Sequence, residues 1–235
     1  MTSESRTRYL IVGCSHAGLS ALEAIRMTDE AGPVTILSRE NTLPYSPTIL
    51  PYVIAGEKTP ETIGLRDGAF FARLNAEFRP GAAVTGVDPA AGIVTCASGQ
   101  RIAYEKLLLA TGADASVPPF PGIESAPYRV VRTLEDALGL RERIQAAASA
   151  IVIGAGLIAM HTAENLAQAG LKVLVCEQHK RPGGWTHSFN KQGYKFSPGV
   201  HYIGSLMPGD GAKQWVGASD DNDWLYAMLY VSFTL

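Results

Sequence analysis

The hydrophobic pattern changes period twice near the start of the chain. Residues 9–12 form a short unbroken apolar run, bounded after Val12 by small residues. From there Leu19, Ala21, Leu22 and Ile25 recur at the spacing of one helix face. Residues 34–37 are again apolar apart from Thr35. The pattern predicts strand, tight turn, helix and strand, a βαβ unit over residues 8–37.

Residues 43–56 are aromatic and punctuated by Pro44, Pro47 and Pro51, which excludes a long helix. The segment reads either as a wall for a flat ring or as an ordinary surface loop. Residues 67–75 read as a short helix. Short strand patterns follow at 83–87, 92–96 and 101–104, with turns at Asp88-Pro89 and Ser98-Gly99. They predict a small antiparallel meander covering one face of a parallel sheet. Residues 106–112 read as a buried strand ending in Thr111-Gly112. A proline-rich stretch at 116–127 marks a domain boundary. Thr133 is placed to cap a helix over 134–147, with Asp136 completing the capping pattern.

The opening module then recurs: apolar run 150–153, glycine turn 154–159, helical pattern 160–169, a strand pattern over 171–175 and Glu177 at its end. The predicted fold is α/β, with two Rossmann-like βαβ nucleotide-binding modules, a three-layer ββα character and an antiparallel meander. The predicted domains are 1–125, 126–204 (incomplete) and an irregular tail, 205–235.

The small residues after each first strand carry the candidate chemistry. In Gly13-x-Ser15-x-Ala17-Gly18, Gly13 allows the turn, Ser15 and Ala17 keep its surface small, and Gly18 lets the helix approach the strand. Helix-start amides and the positive end of the helix dipole bind a diphosphate without Lys or Arg. The plainer alternative is that both glycines only shape a turn. Glu40, past the second strand, can accept the hydroxyls of an adenosine ribose. Gly154, Gly156 and Glu177 repeat the arrangement.

Composition narrows the class. A chain of 235 residues with net charge −2 and scattered Lys and Arg lacks the basic surface of a nucleic-acid binder. Cys14, Cys96 and Cys176 lie far apart without a CxxC, so they read as packing residues in a reducing compartment. Residues 1–8 are polar, without the apolar core of a signal peptide. The apolar stretch 224–235 is too short to span a bilayer. The expectation is a soluble, cytoplasmic protein with no membrane span.

Residues 8–177 resemble the flavin-dependent pyridine-nucleotide oxidoreductases of the ferredoxin-reductase and nitrite-reductase type. The resemblance rests on the Gly13 turn, Glu40, Leu43-Pro44-Tyr45, the run from Tyr104 through Lys106 to Gly112, and Gly154-x-Gly156-Leu157-Ile158. It implies that the first module binds FAD, through Gly13, Ser15, His16, Ala17, Gly18, Arg39, Glu40, Ala83, Val84, Ala110, Thr111 and Gly112. His16 also reads as a structural or solvent-facing residue. The second module is implied to bind NADH or NADPH through Gly154, Gly156, Leu157, Ile158 and Glu177. NADH is favoured because Glu177 repels a 2′-phosphate, with Arg181 the residue arguing the other way. Thr48 occupies the place resembling the redox cysteine of single-cysteine members, so no protein thiol is implied in electron transfer. Electrons would pass to a protein or small-molecule acceptor. His161 reads as a surface partner of Glu164.

The resemblance weakens after Glu177. The family goes on to close its second domain, return to the flavin through a strand ending in Gly-Asp, and add an interface domain. Gly209-Asp210-Gly211 has no strand leading into it and reads as a decoy. Residues 176–189 and 193–204, with Gly183-Gly184, His187 and His201, resemble carotenoid-desaturase and retinol-saturase flavoproteins, in which the Arg-x-Gly-Gly stretch belongs to an FAD site. The second module therefore reads as a nicotinamide site or as the start of a second flavin site. The chain reads as composite, changing near 170–178. The alternatives to the oxidoreductase are a truncated or fused dinucleotide-binding fragment without turnover, and a saturase-like FAD protein.

Overall fold

Strand β1 (Glu4–Val12) lies inside the main sheet, hydrogen-bonded on both sides. The computed structural model describes residues 4–180, 182–183, 189–191 and 194–196. Helix α1 (His16–Thr28) leads to β2 (Val34–Leu37), which pairs parallel with β1 in the register Tyr9 to Val34 through Val12 to Leu37. A 3₁₀ turn (Pro47–Ile49), helix α2 (Leu50–Ala55) and helix α3 (Gly68–Arg73) precede strand β3 (Ala76–Arg79). Strands β4 (Val84–Asp88), β5 (Ile93–Cys96) and β6 (Arg101–Leu109) complete the sheet, in the order β3-β2-β1-β6-β5-β4. The first four strands in that order run parallel; β5 runs antiparallel to both of its neighbours, β6 and β4.

Alternation along β1 divides the core in two. Ile11, with Val34 and Ile36, packs against Leu19 and Leu22 of α1 and against Phe70 and Phe71 of α3. Leu10 and Val12, with Leu37, meet Val94 and Cys96 of β5 and Ile102 of β6. Burial on both faces explains why residues 9–12 read as an unbroken apolar run and why 34–37 are apolar apart from Thr35. Each such side chain contributes about 1.5–3 kcal/mol relative to exposure.

The meander thus covers the face carrying Leu10 and Val12, as its pattern predicts, yet it is no separate sheet. It continues the parallel sheet through β6. Residues 101–109 form one strand rather than two, because β6 pairs with β1 from Arg101 to Leu109. Glu105, the polar residue that breaks the pattern, sits outside near Arg6 and Arg8, each 3.6 Å away. Strand β3 carries no sequence signal. It is a short strand of half-polar residues, specified by its pairing with β2. The proline-punctuated segment is not a surface loop, since Tyr45, Leu50, Val53 and Ile54 are buried.

Helix α4 (Leu134–Ile144) begins where its cap predicts. Thr133 Oγ1 accepts from the Asp136 amide (3.2 Å), and the Asp136 carboxylate accepts from the Thr133 amide (2.8 Å). The helix ends at Ile144, before 147, and Ala146 and Ala147 donate three residues back to Arg143 and Ile144 in tighter turns. Strand β7 (Ser149–Ile153), helix α5 (Leu157–Gln168) and strand β8 (Lys172–Cys176) form the second βαβ unit, with β7 and β8 parallel. Helix α5 starts three residues earlier than predicted, directly after Gly156. A hairpin follows, β9 (Phe189–Lys191) with β10 (Tyr194–Phe196). His161 does not pair with Glu164. Its ring stands edge-on to Tyr52 at 4.5 Å, and Asn165 donates to the Pro51 carbonyl at 2.9 Å.

The chain divides into two compact units. One holds the residues up to Leu50 together with Lys58–Asp136; the other holds Pro51–Glu57 and the residues from Ala137 onward. Among the described residues no helix is long and apolar enough to cross a membrane.

Candidate functional site

Strands β1, β2 and β6 end side by side, and a cavity of about 560 Å³ opens at their carboxyl ends, where open α/β sheets bind ligands. Its walls are the Gly13–Ala17 turn, Ser38–Glu40, the loop through Leu43, Pro44, Tyr45 and Pro47, and residues 109–114.

The turn is shaped by close approach. The Gly13 amide donates to Leu37 at 2.9 Å, and the Ala110 amide donates to Val12 at 2.8 Å. Gly13 has φ +109°, and a Cβ there would lie 2.1 Å from the Ala110 carbonyl oxygen. A Cβ on Gly18 would lie 2.0 Å from the Gly13 oxygen, so helix and turn touch through backbone. Ser15 precedes α1 in extended conformation, its side chain caps none of the first-turn amides, and no acidic residue stands in that turn. The positive end of α1 is thereby left for an anion.

Glu40 sits in a polar cluster. Tyr45 Oη donates to Glu40 Oε2 at 2.6 Å, and the Leu134 amide donates to Tyr45 Oη at 2.7 Å and to Glu40 Oε2 at 3.3 Å. Burial, and then the Glu40 carboxylate, raise the Tyr45 phenol above its ordinary value. Arg39 donates to Asp114 at 2.7 Å across the cavity wall and holds the Asp114 carboxyl below its usual range. Arg132 donates to the Ala113 carbonyl at 2.6 Å. Cys14 lines the cavity, and burial pushes its thiol up to about 12.

Of the residues singled out in the first module, Gly13, Ser15, His16, Ala17, Arg39, Glu40, Val84, Ala110, Thr111 and Gly112 line this cavity. Gly18 stands behind it as a packing residue. Ala83 is absent from the lining; its carbonyl accepts from Ala97, and Ala82 lines the wall instead. Arg132 and Asp114 carry no sequence signal of their own, because only the fold brings residues 113–132 back to the turn.

The second turn repeats two of the first turn's bonds, the one to the neighbouring strand and the one that closes the helix. Gly154 has φ +95°, and its amide donates to Cys176 at 2.7 Å. Met160 closes the first turn of α5 on Gly156 as Leu19 closes that of α1 on Ser15, both at 2.9 Å. Leu157 and Ile158 open α5. Glu177 accepts from the Ala155 amide (2.7 Å) and the His179 amide (2.9 Å). These bonds, that of His179 foremost, hold its carboxyl below the usual range. Gly183 donates to the Ala155 carbonyl at 2.6 Å and bridges to Gly156. Arg181, Gly184, His187, His201 and Gly209-Asp210-Gly211 lie outside the described residues.

Two glycine turns of one design, each between a parallel strand pair and a helix, define a protein built on paired dinucleotide-binding modules. The sequence profile of the pyridine nucleotide-disulphide oxidoreductases matches residues 7–192, and the chain belongs to that family. It is similar to the NADH-dependent phenylglyoxylate dehydrogenase subunit epsilon of Aromatoleum evansii, 50% identical over 175 residues, covering 74% of this chain and 42% of that protein. It is also similar to the rubredoxin-NAD(+) reductase of Pseudomonas putida, 31% identical over 173 residues, covering 73% and 45%. A ferredoxin reductase from Rhodopseudomonas palustris superposes with a TM-score of 0.68 at 30% identity, covering 76% of this chain and 44% of that one. The chain thus spans less than half the length of these relatives. The expected α/β fold and the resemblance to reductases of the ferredoxin type are both met.

Proposed function

We propose that the chain carries the flavin module and part of the nicotinamide module of an FAD-dependent oxidoreductase that takes a hydride from NADH and passes electrons to a redox-protein acceptor. The observation that carries this reading is the pair of matched turns, Gly13 onto Leu37 and Gly154 onto Cys176, in one chain. The cavity residues fit FAD: uncapped α1 amides for the diphosphate, the Glu40 carboxylate for the adenosine ribose, and residues 109–112 beside them. When bound, the flavin accepts the hydride pair and releases its electrons onward. The protein binds, orients and excludes water, and no side-chain acid or base is needed at the hydride step.

Two features refine the reading. Thr48 stands where single-cysteine relatives would carry a thiol, and the buried Cys14 stays protonated, so electrons leave the flavin without a protein thiol. Glu177 favours NADH, since its carboxylate accepts ribose hydroxyls and repels a 2′-phosphate. The acceptor is a small iron–sulfur or rubredoxin-type protein, by likeness to the reductases named above. Free thiols at Cys14, Cys96 and Cys176 suit a reducing compartment such as the cytoplasm.

The test is the absorbance spectrum of the purified chain before and after anaerobic NADH and NADPH. A flavin band bleached by NADH is the expected result. A flavin band unmoved by either nucleotide would leave a binding fragment without turnover. A second reading has its own support: Gly183 lies against the second glycine turn, as the saturase-like resemblance implies for a second flavin site. Two flavins per chain with no response to either dinucleotide would favour it.

A further inference from the structure

Tyr45 and the first amide of α4, the two partners of Glu40, have no role in the reading so far. Tyr45 is buried, and its ring is fixed by the proline-bound loop that walls the cavity. Its hydroxyl uses both capacities, accepting from the Leu134 amide and donating to Glu40 Oε2. Both bonds to Glu40 fall on Oε2, which leaves Oε1 able to accept from a ligand in the cavity that Glu40 lines, because an ionised carboxylate has about four acceptor sites. The Leu134 amide belongs to the positive end of α4, which favours the same negative charge.

We infer that Tyr45 is a positioning residue: its hydroxyl holds the Glu40 carboxylate in the orientation that takes the adenosine ribose of the bound dinucleotide. The inference rests on the proposed FAD reading. A carboxylate at the end of a strand on an unbraced loop samples several rotamers, and fixing it in advance removes an ordering cost from binding. The tyrosine reaches the ligand only through Glu40, so its effect is confined to ligands that carry the adenosine half. This distinguishes positioning from a general contribution to folding.

The experiment uses the full chain and measures FAD and FMN affinities by fluorescence quenching for the native protein, Tyr45→Phe, Glu40→Gln and the double variant. Phenylalanine keeps the buried ring and removes only the hydroxyl. The expected result is a roughly tenfold fall in the FAD-to-FMN affinity ratio in Tyr45→Phe, a similar fall in Glu40→Gln, and little further fall in the double variant, since contacting residues do not act additively. Equal losses for FAD and FMN in Tyr45→Phe, or fully additive losses in the double variant, would overturn the positioning role. A native chain that binds neither flavin would overturn the FAD reading and this inference with it. Native FAD binding that Glu40→Gln leaves undiminished would remove Glu40 from the ribose site, and Tyr45 with it.

Discussion

The amide of Ala155 donates to the carboxylate of Glu177 at 2.7 Å. The acidic residue beyond β8 therefore braces the glycine turn, a role beside the ribose contact proposed for it above. Glu177→Gln keeps an acceptor for the Ala155 amide and removes the charge, so the two roles separate. Titration with NADH and NADPH should show the native preference for NADH narrowing by about tenfold in Glu177→Gln, a change of about 1.4 kcal/mol. The carboxyl is held below its ordinary value near 4.3, so its brace is intact above that pH and weakens as pH falls through its lowered value. An unchanged preference in the variant would take specificity away from Glu177.

Gly13 is first a conformational residue. Read from the sequence, Gly13→Val blocks cofactor binding more than it unfolds the chain, because the side chain fills diphosphate space. The structure adds a conformational cost, since a Cβ there meets the Ala110 carbonyl and the backbone has φ +109°. Backbone strain alone costs about 1–3 kcal/mol. Gly13→Ala should lower the thermal midpoint and flavin retention together. A variant that melts like the native chain but loses flavin would restore the steric reading.

The α4 cap offers a test of stability. Thr133→Ala removes the acceptor of the Asp136 amide and should cost about 1 kcal/mol. For a chain of this size that is a fall of roughly 2–4 °C in melting temperature. No fall would mean that the Asp136 side of the box suffices.

The three thiols should separate by environment. Cys176 is exposed, while Cys14 and Cys96 are buried with thiols raised by desolvation. Iodoacetamide at pH 8 should label Cys176 at least about tenfold faster than the other two until denaturant is added. The Cys14 thiol, pushed up to about 12, keeps its proton where an unfolded thiol loses it, near 8.5. Its contribution to stability is therefore complete below about pH 8.5 and is lost as pH rises toward 12. Fast labelling of Cys14 in the native chain would contradict its burial.

What was legible in the sequence depended on local period and turn chemistry. The Gly13 and Gly154 turns, helix α1 and the Thr133 cap all declare themselves within a few residues, because neighbours along the chain specify them. Glu40 was legible by its place after β2, but its partners were not. Tyr45 is five residues away, and Leu134 comes from a helix 94 residues on. Strand β3 was hidden because Ala76 and Phe78 are its only apolar residues, and its pairing with β2 decides its state. The single strand over 101–109 was hidden because Glu105 interrupts its pattern, although Arg6 and Arg8 stand beside that carboxylate.

The pairing of β1 with β6 also fixes the order in which this unit can form. Residues 4–12 are made first, yet their second neighbour in the sheet is residues 101–109. Until β6 leaves the ribosome, one edge of β1 has no partner, and the face carrying Leu10 and Val12 lacks Ile102. Contacts this distant along the chain slow closure. In a stalled nascent chain ending before residue 101, the amides of β1 that face β6 should exchange freely with solvent, and protection should arrive only when β6 has emerged.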